Sequence, residues 1–272
     1  MLENIRYINH LGETINFDGS EHIYAAHSEL RDYYWNYDTE NNILSNFNRK
    51  GVVEKSLPVK ILGDVEESVA ARNKLYEVID KDTAVSSAGQ LWFDDYYMNC
   101  YISSSVKSRY MRDVVEIDLT VVTDTPYWTK AITTEFRPSQ LIAGLKYNKK
   151  YNYRYTDYNI NVTVTNSNLA AMPFKMLIYG ACENPEIIIG SQHYKINATI
   201  GESEYITLTA LDKEKTIFLT DQYGNETSLF NKREKSFNVF APIPSGTFNV
   251  AWDGNFNFDL TVFDQRSEPP WT

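Results

Sequence analysis

Apolar and polar residues alternate with period two along most of this chain, and the helical period is sustained in one segment only. The clearest alternation sets Val115, Ile117, Leu119 and Val121 against Glu116, Asp118 and Thr120, the pattern of a strand buried on one face. Residues 1–28 fit two short strands, with Gly12 and Asp18-Gly19-Ser20 as turn punctuation. A hairpin follows: Tyr33-Tyr34-Trp35-Asn36-Tyr37, a polar turn over Asp38-Thr39-Glu40-Asn41-Asn42, then Ile43-Leu44-Ser45-Asn46-Phe47. Tyr33, Trp35 and Tyr37 occupy alternate positions and so share a face. That face either packs on the core of this chain or is offered to another subunit.

Val52-Val53 and Pro58-Val59-Lys60-Ile61-Leu62 read as two further strands, ended by Gly63. The helix is expected over residues 64–80. Asp64 can cap it, Glu66 and Glu67 lie in its first turn, and Val65, Val69, Tyr76 and Ile79, with Leu75 alongside, form its apolar stripe. Lys81 lies near its C-terminal end, where the helix dipole favours a cation. It reads as one amphipathic helix laid across a sheet. Strands Gln90–Phe93 and Tyr96–Ile102 then flank the tight acidic turn Asp94-Asp95.

Two phrases punctuate the chain at a larger scale. Thr125-Pro126-Tyr127-Trp128 closes one block of strands and Glu268-Pro269-Pro270-Trp271 closes the next. Proline cannot extend a ladder, so each phrase halts a strand, and the tryptophan can cover the sheet just completed. The expectation is two β-rich domains, residues 1–136 and 137–272. Residues 137–158, rich in Tyr, Lys and Asn, serve as linker plus an edge strand. The second block holds strands near 161–165, 175–179, 185–189, 194–197, 205–209, 216–220, 226–229, 246–252 and 256–262, with Tyr223-Gly224-Asn225 as a hairpin turn. So many short strands with regular turns indicate a β-sandwich.

Composition agrees: 20 tyrosines and an aromatic content of 14% favour strands over helices and are too rich for disorder. No stretch is long and apolar enough to insert in a membrane, and MLENIRYINH lacks the basic start and apolar run of an export signal. The only cysteines, Cys100 and Cys182, lie in different halves. They read as two buried thiols, with a single interdomain bridge as the alternative. The net charge is 26 − 36 = −10, and residues 1–135 carry most of it, with 13 basic against 22 acidic side chains. A surface that repels polyanions is one reading and solubility the other.

No residue pattern specifies catalysis. Asp94-Asp95 and Asp253 with Asp259 are the tempting carboxylates, but a glycosidase needs two that face each other across a substrate. Asp94-Asp95 is more simply a hairpin tip. Asp253-Gly254-Asn255-Phe256-Asn257 lacks the acidic density of a calcium loop and reads as a turn. His10, His22, His27 and His193 show no ligand spacing. Asn161, Asn197 and Asn225 each begin a glycosylation sequon that strand and turn composition also explains. No enzyme activity, cofactor or metal is expected.

Taken in order, these features make the whole chain resemble the distal tail proteins of long-tailed (siphovirus-type) bacteriophages of Gram-positive bacteria. The first half carries the resemblance in the segment from Gly51 to Gly63, the capped helix, Gly89-Gln90-Leu91 leading to Tyr97-Met98-Asn99-Cys100, and Thr125-Pro126-Tyr127-Trp128. The second half carries it in Pro185-Glu186-Ile187 before Gly190, Ile243-Pro244-Ser245-Gly246 before Asn249-Val250, and Arg266 to Trp271. The resemblance implies a mainly β protein. Its N-terminal β-domain would have one helix and a projecting hairpin, and its C-terminal domain would be a galectin-like sandwich. It further implies a hexameric ring in the phage tail tip, assembled in the host bacterial cytoplasm, with back-to-back rings as a form in isolation. The implied partners are the tail tube protein, a tail-tip fibre or lysin, and receptor-binding proteins, with DNA passing through unbound. Tyr33, Trp35 and Tyr37 would then lie at the subunit interface. The alternative reading is a carbohydrate-binding or receptor-binding module on the same scaffold.

Overall fold

The computed structural model describes residues 4–25, 29–49, 51–111, 114–138 and 162–270. The fold is mainly β, with large antiparallel sheets and one α-helix among the described residues. The contacts divide the chain into two compact units, Met1–Lys130 with Gln265–Thr272, and Ala131–Asp264. The expected linker over 137–158 lies almost wholly outside the described residues, as do His27, Asn161 and Trp271.

The first unit opens with β1 (Ile5–Ile8), β2 (Thr14–Asn16) and β3 (Ile23–Ala25), one strand more than its sequence predicts. The hairpin is β4 (Trp35–Glu40) and β5 (Ile43–Arg49). Its turn is shorter than expected. Asn41 and Asn42, both at positive φ, make the connection alone, and Asp38–Glu40 belong to the strand. Asparagine tolerates that left-handed backbone, which matches the twist of the two strands. Tyr33 precedes β4 instead of lying within it.

The two strands expected around residues 52–62 are one, β6 (Val53–Leu62), and Pro58 sits inside it. Register explains how a proline fits there. The amides of Ser56 and Leu62 point away from the neighbouring strand β9 (Val114–Thr123), to Glu29 Oε2 at 3.4 Å and the His22 carbonyl at 3.0 Å. Pro58 shares their parity, so its nitrogen lies on that outer edge, where among the described residues β3 pairs with Val59–Ile61.

Helix α1 (Val65–Val85) starts with a complete capping box: Asp64 accepts from the amides of Glu66 and Glu67, and Glu67 reaches back to the Asp64 amide. It runs five residues beyond the expected end, to a left-handed cap at Ser86. Lys81 is therefore not in the last turn. The buried stripe is Ser68, Ala71, Leu75, Val78, Ile79 and Asp82, whereas Val65 and Val69 are exposed. The expected stripe was rotated because it followed the large side chains and passed over Ser68, Ala71 and Asp82.

Strands β7 (Gly89–Phe93) and β8 (Tyr96–Tyr110) meet at the acidic turn, with Asp94 at positive φ. β8 is eight residues longer than expected. Its first part pairs with β7 and its outer part with β9, so it serves both sheet orders, β2-β1-β7-β8 and β3-β6-β9-β8. β9 buries every second residue, as its alternation dictates. The inward side chains of β1, β6, β7, β8 and β9 and the helix stripe form one core, which also holds Trp128 at the start of β10 (Trp128–Phe136). Pro269 belongs to this unit as well: its carbonyl accepts from Arg31 Nη1 at 2.8 Å.

The second unit holds β11 (Thr163–Asn166), β12 (Phe174–Tyr179), β13 (Cys182–Glu183), β14 (Glu186–Ile189), β15 (Gln192–Lys195), β16 (Thr199–Ile200), β17 (Tyr205–Ala210), β18 (Lys215–Thr220), β19 (Glu226–Ser228), β20 (Gly246–Ala251) and all but the last two residues of β21 (Phe258–Arg266). Two sheets, β19-β18-β17-β12-β21 and β11-β20-β14-β15, enclose a single core in which Phe136 stacks on Phe258 at 4.4 Å. This is the expected sandwich. The β18–β19 turn is pinned by Asp221, whose carboxylate accepts from the amides of Tyr223 and Asn225 at 2.8 and 2.9 Å.

Candidate interaction surface

Most of the described side chains that could have carried chemistry are tied up structurally, and Asp94 forms the hairpin tip at positive φ. Asp95 is exposed and paired with Lys130 at 3.0 Å. Asp259 accepts from Arg137 Nη1 at 2.6 Å and from the Tyr179 hydroxyl at 2.7 Å. Burial, with that bond to Asp259, pushes the Tyr179 phenol up to about 12. Asp253 closes a turn on the Asn255 amide at 3.0 Å. His10 lies 2.5 Å from Asp82 Oδ1, His22 lies 3.7 Å from Glu67, and His193 pairs with Glu186 at 2.9 Å while stacking on Phe237. Among the described residues no three His, Cys, Asp or Glu side chains converge as metal ligands, and no helix is long and apolar enough to cross a membrane.

Both cysteines are free thiols, Cys100 buried as expected and Cys182 only half-buried. Burial pushes them up to about 12 and about 11. At pH 8 both are therefore overwhelmingly neutral and slow to react. Maleimide should label Cys182 first and Cys100 only after unfolding, as followed by intact-mass measurement. Fast labelling of Cys100 in the native protein would contradict this packing.

What the fold leaves open is a surface. Every residue of β4 is exposed, and among the described residues β4 and β5 pair only with each other. Tyr33 is 50%, Trp35 41% and Tyr37 62% exposed. They are therefore not covered by the core of this chain. Cross-strand partners share a face, and the register pairs Tyr37 with Phe47 and Thr39 with Leu44. An irregularity between Asp38 and Thr39 leaves Ser45 extra. Without that bulge, Leu44 and Phe47, three residues apart, would fall on opposite faces. With it, Trp35, Tyr37, Leu44 and Phe47 form one apolar face, and Tyr37 meets Phe47 at 6.3 Å. The other face carries Asn36, Asp38, Glu40, Ile43 and Asn46. A lone two-stranded hairpin is marginally stable in water, and exposed aromatic patches mark association sites.

A second open feature lies where α1 faces the outer part of β8. A groove of about 360 Å³ is lined by Val69, Arg72, Tyr76, Lys107, Tyr110 and Val115. Arg72 donates to the Tyr110 hydroxyl at 2.8 Å, and the Lys107 ammonium sits 4.7 Å over the Tyr76 ring. The sequence reading missed this groove because it ended the strand at Ile102, short of Lys107 and Tyr110. The signal available was the continued alternation of Val106 and Ser108 with Lys107 and Arg109 beyond that residue.

No family model and no curated protein matches the chain. Solved structures do. The phage P2 baseplate in its activated conformation with Ca aligns over 99% of this chain and 100% of that one, at a TM-score of 0.64 and 9% identity. The same baseplate with Sr gives a TM-score of 0.63 at 9% identity, over 99% and 100% of the two chains. The SPP1 Dit protein, described as a paradigm of the hub adsorption apparatus in phages infecting Gram-positive bacteria, aligns over 97% of this chain and 100% of that one, with a TM-score of 0.61 and 9% identity. At such low identity the likeness is one of fold, and it runs the full length of both chains.

Proposed function

We propose that the chain is a structural hub of a phage tail tip, without catalytic activity, whose copies close into a hexameric ring between the tail tube and the host-adhesion components. The full-length likeness in fold to baseplate and hub proteins carries this reading. The exposed apolar hairpin supports it, because a ring needs a heterologous interface in which one surface patch meets a different patch on the next copy. In this reading residues 1–136 build the ring and residues 137–272 form a peripheral galectin-like sandwich. Tyr33, Trp35 and Tyr37 pack on a neighbouring protomer. The partners are the tail tube protein, a tail-tip fibre or lysin, and receptor-binding proteins. Part of the acidity of residues 1–135 lines a channel through which DNA slides without binding, and the protein resides in the virion.

Native mass measurement tests it. The wild-type chain should show a closed oligomer of six copies, singly or as back-to-back rings, and Trp35→Ala should shift that population toward monomer. A mass distribution unchanged by Trp35→Ala would remove the hairpin from the interface. A wild-type chain that binds glycans strongly on an array and never oligomerises would favour an adhesion module instead.

A further inference from the structure

Resting on the tail-hub reading, we infer that the groove between α1 and β8 is the seat for the hairpin tip of a second copy of this chain. The argument is complementarity between two patches of one molecule. Among the described residues the groove lining offers Arg72 and Lys107 as its only charged side chains. That is an exception in a stretch where acids outnumber bases 22 to 13. Both cations are held in place, Arg72 by the Tyr110 hydroxyl and Lys107 by the Tyr76 ring and the Ser105 carbonyl at 3.1 Å. Apolar surface surrounds them, with Val69 42% and Tyr110 70% exposed.

The hairpin tip presents the matching set. Glu40 lies at the end of β4, and Ile43, paired with it, lies on the same face. The six residues of β4 rise about 3.3 Å each, giving an arm about 20 Å long, enough to reach across to an adjoining subunit. Within one chain both patches are open to solvent, so neither covers the other. Seated together, the Glu40 carboxylate opposes the guanidinium and the ammonium, and Ile43 covers Val69. An acidic arm and a basic groove at different places on one molecule produce head-to-tail association, which closes when the rotation between copies allows. The apolar face with Trp35 and Tyr37 then packs beside the groove instead of inside it, so the tip sets which partner surface is chosen and the aromatic face adds buried area.

Charge reversal with rescue tests this. Glu40→Lys and Arg72→Glu, each alone, should raise the concentration for half-assembly by at least ~10-fold, because like charges would meet at the seat. Mixing the two variants should restore assembly, since every arm then finds a groove of opposite sign in an alternating ring. Lys107→Glu serves as a second groove variant, and circular dichroism checks that each variant is folded. Wild-type rings that survive both Arg72→Glu and Lys107→Glu would overturn the seating and leave the hub reading intact. Folded variants that lose assembly alone but stay dissociated when mixed would overturn the pairing of arm and groove. A wild-type chain that is monomeric at every concentration would end both readings.

Discussion

Trp128→Ala should cost the N-terminal unit about 4 kcal/mol, the usual loss when a large aromatic is removed from a packed core. Trp128 is 1% exposed and meets Phe93 edge-on at 5.9 Å. Its indole nitrogen is buried without a hydrogen-bond partner among the described residues. Its contribution is therefore packing and shape, and the alanine variant leaves a void that close-packed neighbours fill only in part. Trp128→Phe keeps a ring beside Phe93 and gives up no hydrogen bond, so it should lose clearly less. Hydrogen exchange read by peptide should show the loss in residues 4–130 and spare strands β12, β17 and β18 of the second unit. Uniform loss across both units, or a change below about 1 kcal/mol, would contradict this placement of Trp128.

The second large effect is expected at Asp82. This carboxylate, 0% exposed, accepts from the Tyr7 hydroxyl at 2.5 Å and from the His10 backbone amide at 2.9 Å, and lies 2.5 Å from His10 Nδ1. It ties the last turns of α1 to β1 and the loop after it. Asn9 adds a bond from its Nδ2 to the Val78 carbonyl at 3.2 Å, and Lys81 reaches Glu13 at 2.7 Å. Asp82→Ala strands buried donors, for an expected loss of about 3 kcal/mol. Asp82→Asn, which keeps one carbonyl acceptor and the volume, should lose less. Gly89→Ala should also destabilise, because a Cβ there would lie 2.3 Å from both Asp82 Oδ2 and the Tyr7 hydroxyl. Thermal and urea melts of the three variants check the order; an alanine variant as stable as wild type would mean that the cluster contributes nothing.

The same cluster has an alkaline signature. Burial, and then the hydrogen bond to Asp82, raise the Tyr7 phenol above its ordinary value. A raised group holds its full stabilisation below the unfolded value of about 10 and loses it as pH climbs toward the folded value. Stability of the first unit should thus fall above about pH 10, and Tyr7→Phe should soften that fall.

Particular residues show what was readable in advance. β9 was plain because one face is core and the other solvent, so burial writes itself into alternate letters from Val115 to Val121. The start of α1 was plain because Asp64 and Glu67 satisfy amides within three residues of themselves. The stripe and the end of α1 were not plain. Ser68 and Asp82 are buried polar residues whose justification lies in the surrounding tertiary structure, and no window of sequence contains Tyr7, His10 and Asp82 together. Pro58 fits inside β6 because its nitrogen, like the amides of Ser56 and Leu62, points away from β9, and that parity is set by the register and not by the local letters.

The hairpin divides the same way. Its existence and its aromatic content follow from the local pattern, but the two-residue turn and the bulge at Ser45 decide which side chains share a face. The basic groove is further removed, since Arg72 and Lys107 lie 35 positions apart in sequence. Sequence by itself determined the β-rich class, the helix with its N-cap and most strands, because these depend on neighbours within a few residues. Tertiary structure alone decided the buried Asp82 cluster, the placement of Gln265–Thr272 with the first unit and the juxtaposition of Arg72 with Lys107, because each depends on side chains brought together by packing across long stretches of chain.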